Sequence, residues 1–133
     1  DVCSSDLPTP QRTVLLVDDN EGFRIVAALA LESAGYLVQQ AADGLSALDL
    51  LQQTRPDLII SDLHMPLLDG RALCERLRAE QDFAQIPFVI LSAYIESSGP
   101  HILPDVPADF CYSKQSPFSA LLPQLDRLLA SRA

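Results

Sequence analysis

Three short runs of consecutive apolar residues constrain this chain most: Thr13-Val14-Leu15-Leu16-Val17, Leu58-Ile59-Ile60 and Ile86-Pro87-Phe88-Val89-Ile90-Leu91. A strand with one wet face alternates apolar and polar residues, whereas a strand covered on both faces does not. The runs therefore predict strands buried on both sides, as in a parallel sheet sandwiched by helices. Each run stops abruptly on polar residues: Asp18-Asp19-Asn20-Glu21, Ser61-Asp62 and Ser92.

Between the runs the period changes. Phe23, Val26, Ala27, Ala30, Leu31 and Ala34 recur at helical spacing and predict an amphipathic helix over 21–34, stopped by Gly35. Tyr36 to Ala41 reads as a second, more exposed strand at a sheet edge, and Asp43-Gly44 as a turn. Leu45, Leu48 and Leu51 place a helix over 45–54, ended by Pro56. A third helix over 71–80 turns Leu73 and Leu77 inward. Asp109-Phe110-Cys111-Tyr112 is a short fifth strand leading to Lys114. Phe118, Leu121, Leu122, Leu125, Leu128 and Leu129 form the stripe of a last helix, in which Pro123 predicts a kink or a late start.

Residues 95–107 contain Gly99, Pro100, Pro104 and Pro107, so the fourth helix of the chain is expected to be short or broken. Residues 1–12 read as a linker or loose N-terminus and 13–133 as one domain. Strand and helix alternate five times, which argues for a doubly wound α/β fold around a five-stranded parallel sheet. Right-handed crossovers then gather the strand ends on one rim.

Composition narrows the function classes. The chain has 133 residues and a net charge of −9, which disfavours nucleic acid as a direct partner. Its apolar runs are too short to span a bilayer, and its polar start shows no signal peptide. Cys3, Cys74 and Cys111 show no metal-ligand spacing and read as free thiols in a reducing, cytoplasmic setting. The chain begins with Asp, as a processed form, an excised domain or an incomplete record would.

The rim collects Asp18, Asp19, Asp62, Ser92 and Lys114. A carboxylate after a buried strand has no packing reason to be there and points into the crevice where open α/β sheets bind ligands. Converging carboxylates repel, and a hard cation such as Mg²⁺ relieves that repulsion. An Asp held there can attack phosphorus and form an acyl phosphate. Lys114 and Mg²⁺ would neutralise the phosphoryl oxygens, and Ser92 would donate to one of them. Singly, each residue has a plainer explanation: Asp18-Asp19 as a helix cap, Ser92 as a loop serine, Lys114 as a surface lysine. The functional reading rests on all five falling at strand ends.

Val17-Asp18-Asp19-Asn20, Asp62-Leu63-His64-Met65-Pro66 with Asp69-Gly70, Leu91-Ser92-Ala93 and Lys114 together resemble the receiver domain of two-component response regulators, the CheY-like family. The resemblance covers about residues 12–131. It implies a flavodoxin-like strand order, 2-1-3-4-5. It implies that Asp62 accepts phosphate from a histidine kinase or histidine phosphotransfer protein, and that Asp19, Asp62 and the His64 backbone carbonyl bind Mg²⁺, with Asp18 acting through water. Ser92 and Lys114 would contact the phosphoryl group. A domain of this kind is a phosphoacceptor that assists its own phosphorylation and dephosphorylation rather than an enzyme. No direct membrane contact is implied.

The sequence departs from the family in three places. Gln115-Ser116 separate Lys114 from Pro117, where the family usually has Pro directly after the lysine. Cys111 stands where the family usually has a switching aromatic. The Pro-rich 95–107 segment replaces a helix of the family's commonest output surface. These departures keep a second reading in play, a degenerate receiver that acts as an interaction module without phosphotransfer. An aspartate-nucleophile phosphatase would want an Asp where His64 stands, and a flavin binder would not place Asp18-Asp19 against a phosphate. With 19 residues beyond Lys114, the expectation is a stand-alone receiver or one cut from a longer protein such as a hybrid histidine kinase.

Overall fold

The computed structural model describes residues 12–93 and 106–132. The expected linker over 1–12 and the short or broken helix over 95–107 lie outside them, apart from residues 12, 106 and 107. Five strands appear: β1 (Thr13–Val17), β2 (Leu37–Ala41), β3 (Leu58–Asp62), β4 (Phe88–Ser92) and β5 (Phe110–Ser113). Their order across the sheet is β2-β1-β3-β4-β5, all parallel, with β2 at one edge. The helices among the described residues are α1 (Glu21–Ser33), α2 (Gly44–Leu51), α3 (Gly70–Arg78) and α4 (Phe118–Arg132).

The three apolar runs are buried on both faces, as their lack of alternation requires. Val14, Leu16, Ile60, Val89 and Tyr112 point one way, against Ala27, Ala28 and Leu31 of α1 and Leu121, Leu125 and Leu129 of α4. Leu15, Val17, Ile59, Ile90 and Cys111 point the other way, against Ala47 and Leu51 of α2 and Leu73, Cys74 and Leu77 of α3. The pleat sends neighbouring residues to opposite layers.

Two helix faces differ from expectation. Val26 is 60% exposed and Leu45 is 47% exposed, although both were expected inward. The residues against the sheet are alanines instead, Ala27, Ala28 and Ala47. Their small side chains let the helix backbone approach closely, which leaves the larger apolar neighbours at the flank. Asp43-Gly44, expected as a turn, opens α2: Asp43 Oδ1 accepts the Ser46 N–H at 2.8 Å as the N-cap. The late start expected of the last helix does not occur, because α4 begins at Phe118, ahead of Pro123. Pro123 removes only the bond its N–H would have made to the Ser119 carbonyl, one turn in.

At the amino-terminal rim, Arg78 acts as a staple. Its Nη1 donates to the carbonyls of Ile86 (2.6 Å) and Ala84 (3.0 Å), and its Nε to that of Pro107 (2.9 Å). Its Nη2 meets Asp109 Oδ2 at 3.2 Å, and that same oxygen accepts the Phe88 N–H at 2.8 Å. One guanidinium thus ties the end of α3 to the starts of β4 and β5. The functional residues lie at the opposite rim.

Candidate functional site

The carboxyl ends of β1, β3, β4 and β5 converge at that rim, where Asp18 follows Val17 and Asp62 and Ser92 end their strands. The ladder is carried one step past β1 by Asp18, whose N–H donates to the Ala41 carbonyl at 3.1 Å. Asp18 Oδ1 accepts the Asn20 N–H at 2.9 Å, and the Asp18 carbonyl accepts from Arg24 Nη1 at 2.7 Å. Asn20, not Asp18 or Asp19, caps α1: its Oδ1 accepts the Phe23 N–H at 2.9 Å. The plain explanation of the acidic pair as a helix cap therefore does not hold.

Two glycines bring the loop after Asp62 into place. A Cβ on Gly70 would lie 2.2 Å from the Asp62 carbonyl oxygen, so the first residue of α3 fits against the end of β3 only as glycine. The Gly70 N–H donates to the Leu63 carbonyl at 3.0 Å, and Asp69 caps α3 through the Ala72 N–H at 2.8 Å. A Cβ on Gly44 would lie 2.5 Å from the Leu68 carbonyl oxygen, so the loop also presses on the start of α2. The loop after Asp62 is thereby held between the N-termini of α2 and α3.

Asp18, Asp19 and Asp62 each offer a carboxylate oxygen, and the three lie within 4.8 Å of one another. Asp18 is 1% exposed and Asp62 8%, whereas Asp19 faces solvent. Lys114 reaches in from the end of β5, its Nζ 2.6 Å from Asp18 Oδ2 and 3.3 Å from Asp62 Oδ2. Burial pushes the Asp62 carboxyl above its ordinary range. Lys114 opposes that shift, Asp18 adds to it, and the His64 N–H hydrogen bond opposes it. Burial alone would lower the Lys114 pKa, but Asp18 and Asp62 outweigh it and raise the value.

Ser92 is buried, and its carbonyl accepts the Lys114 N–H at 3.0 Å. The sequence expectations thus come together in Asp18, Asp19, Asp62, Ser92 and Lys114. His64 is exposed, two residues beyond Asp62. Phe23 was legible only as part of a helix face, yet the Lys114 ammonium lies 4.6 Å from its ring centroid.

The departures have a structural form. Gln115 and Ser116 make a turn in which the Ser113 hydroxyl accepts the Gln115 N–H at 3.1 Å. No peptide bond among the described residues is cis. Cys111 is buried toward α2 and α3. Phe110 and Tyr112 lie on the other face, their rings edge-to-face with centroids 5.8 Å apart. The face that carries Cys111 has no β5 aromatic.

Comparison with known proteins gives this geometry a family. Residues 14–126 match the response regulator receiver domain. The chain belongs to that family. This receiver domain is 42% identical over 80 residues to the DNA-binding dual master transcriptional regulator RpaA of Synechocystis sp., covering 60% of this chain and 33% of that protein. It spans about a third of the length of the first curated relatives it matches. Among solved structures it resembles the receiver domain of a signal transduction histidine kinase from Syntrophus aciditrophicus, with a TM-score of 0.79 and 33% identity over 90% of this chain and 91% of that one. The receiver domain of a sensor histidine kinase from Pseudomonas aeruginosa, described with a magnesium ion coordinated in its active-site cleft, gives a TM-score of 0.79 and 26% identity over 90% and 98% of the two chains.

Receiver domains bind Mg²⁺ at an acidic pocket, and the donors here suit that ion. Three carboxylates are hard oxygen ligands, and with one ammonium against them the cluster keeps net negative charge. No helix among the described residues is long and apolar enough to cross a membrane.

Proposed function

We propose that Asp62 is the phosphoacceptor of a two-component phosphorelay. The observation that carries this reading is the placement of the buried Asp62 carboxylate between an acidic cluster and the Lys114 ammonium, at the carboxyl rim of the sheet.

In this reading an Asp62 carboxylate oxygen attacks the phosphorus of a phosphohistidine on a histidine kinase or histidine phosphotransfer protein. The P–O bond to Asp62 forms as the P–N bond breaks, and the electron pair of that bond returns to the departing imidazole. Asp18, Asp19, Asp62 and the His64 backbone carbonyl would hold Mg²⁺, which when bound neutralises charge on the phosphoryl oxygens. Lys114, already 3.3 Å from Asp62, supplies a second positive charge at the same oxygens. The Ser92 hydroxyl donates a hydrogen bond to one of them.

The direct partner is a protein that carries phosphohistidine, and the acidic balance of the chain does not favour direct contact with nucleic acid. The test is intact-mass spectrometry after incubation with acetyl phosphate, with and without Mg²⁺, on this chain and on Asp62→Asn. A Mg²⁺-dependent gain of about 80 Da, one phosphoryl group, that is absent from Asp62→Asn is the expected result. No gain in the parent chain, together with no Mg²⁺ binding by titration, would leave an interaction module instead.

A further inference from the structure

Lysine has a flexible four-carbon stem and a compact, strongly hydrated head. Holding that head at a reacting group calls for more than one contact. Lys114 Nζ lies 2.6 Å from Asp18 Oδ2, 3.3 Å from Asp62 Oδ2 and 4.6 Å from the Phe23 ring centroid. The two carboxylates compete for its protons. The ring does not, since an aromatic face attracts a cation through its quadrupole without acting as a strong hydrogen-bond acceptor. The Lys114 side chain is 15% exposed, so water competes weakly for the same ammonium.

The ring is itself fixed. The Phe23 N–H is bound to the Asn20 cap at 2.9 Å, which sets the backbone of the first turn of α1. The Phe118 ring, at the start of α4, lies against it with centroids 6.2 Å apart and planes at 35°. Phe23 therefore presents its face to Lys114 from a braced position.

We propose that Phe23 is a positioning residue for phosphotransfer, its ring holding the Lys114 ammonium within reach of Asp62. The ammonium turns from Asp18 toward the phosphoryl oxygens as the Asp62–phosphorus bond forms, and it stays on the ring throughout. This inference rests on Asp62 being the phosphoacceptor.

The experiment replaces Phe23 in the full chain, site-specifically, with phenylalanines carrying one, two and three ring fluorines. Fluorine withdraws density from the ring face while keeping the side chain aromatic, apolar and close to its original size. The readout is the rate of phosphorylation by acetyl phosphate with saturating Mg²⁺, followed by intact mass. The rate is expected to fall with each fluorine and to be lower by about tenfold at three, the size a partly desolvated cation–π contact supports. Phe23→Leu should fall to a similar level. In the parent, the Lys114 ε-methylene proton signals should show an upfield ring-current shift that Phe23→Leu removes. A purely packing role for Phe23 predicts a flat fluorine series, and a flat series in a chain that takes up phosphate overturns the proposal. A parent chain that takes up no phosphate overturns the Asp62 reading, and with it the reaction that Phe23 is proposed to serve.

Discussion

Lys114 Nζ lies closer to Asp18 Oδ2, at 2.6 Å, than to Asp62 Oδ2, at 3.3 Å. The ammonium leans on the more deeply buried of the two carboxylates. Lys114→Met removes that charge and leaves both carboxylates buried without it. The variant should lose about 3 kcal/mol of stability at neutral pH, the cost of breaking a buried pair from one side. Mg²⁺ should restore more stability to the variant than it adds to the parent, because the metal no longer shares its ligands with an ammonium. Urea melts with and without Mg²⁺ check this. An equal Mg²⁺ increment in the two proteins would mean that Lys114 and the metal do not compete.

Asp62 works against stability when ionised. Burial raises its pKa in the folded chain above the ordinary value of 3.8. For a carboxyl shifted upward, the stability it confers is fully present below the unfolded value and is lost as pH rises through the folded one. Above the folded value the penalty is complete. Asp62→Asn should therefore melt higher than the parent by about 4 °C in metal-free buffer, and the difference should shrink as pH falls toward 3.8. Paired melting curves across that range decide it, and a difference that ignores pH would count against burial as the cause.

Gly70 and Gly22 should respond oppositely to the same change. A Cβ at Gly70 meets the Asp62 carbonyl oxygen at 2.2 Å and the Leu63 Cα at 3.1 Å, both backbone atoms. Gly70→Ala must push β3 and α3 apart, which should cost about 2–3 kcal/mol and slow phosphorylation of Asp62. A Cβ at Gly22 meets only the Asn20 side-chain oxygen, at 3.4 Å. Gly22→Ala should stabilise α1 by about 0.5 kcal/mol. Denaturant melts of the two variants against the parent are the measurement.

Arg78 separates stability from chemistry. Its fork holds carbonyls of Ala84, Ile86 and Pro107 and the Asp109 carboxylate, at the rim away from Asp62. Lysine cannot reproduce that planar fork. Arg78→Lys should cost about 2 kcal/mol while leaving the initial rate of phosphorylation near the parent value. A rate that falls with stability would show that the two rims are coupled.

Much of this was legible because buried parallel strands write themselves as unbroken apolar runs. Val14 to Val17, Leu58 to Ile60 and Phe88 to Leu91 located three central strands, and the polar residues ending them located the rim. The helix faces were less legible. Periodicity finds a stripe but does not say whether a leucine or an alanine takes the tightest place, and Ala27, Ala28 and Ala47 take it here. Asp18-Asp19 had the plain reading of a helix cap in sequence, and the chain path gives the cap to Asn20 instead. Phe23 and Lys114 are far apart in the chain, and no local pattern announces that a ring on α1 lies over the end of β5.

Ser92 and Lys114 are joined by one peptide hydrogen bond, and Ser92 pairs with Ser113 across the ladder. Their spacing belongs to the sheet and not to the chain that connects them. The sheet therefore sets the spacing of these two residues, which we propose meet the phosphoryl oxygens. The two groups are tuned like adjacent keys on one frame, by the ladder that seats them and not by the length of chain between them.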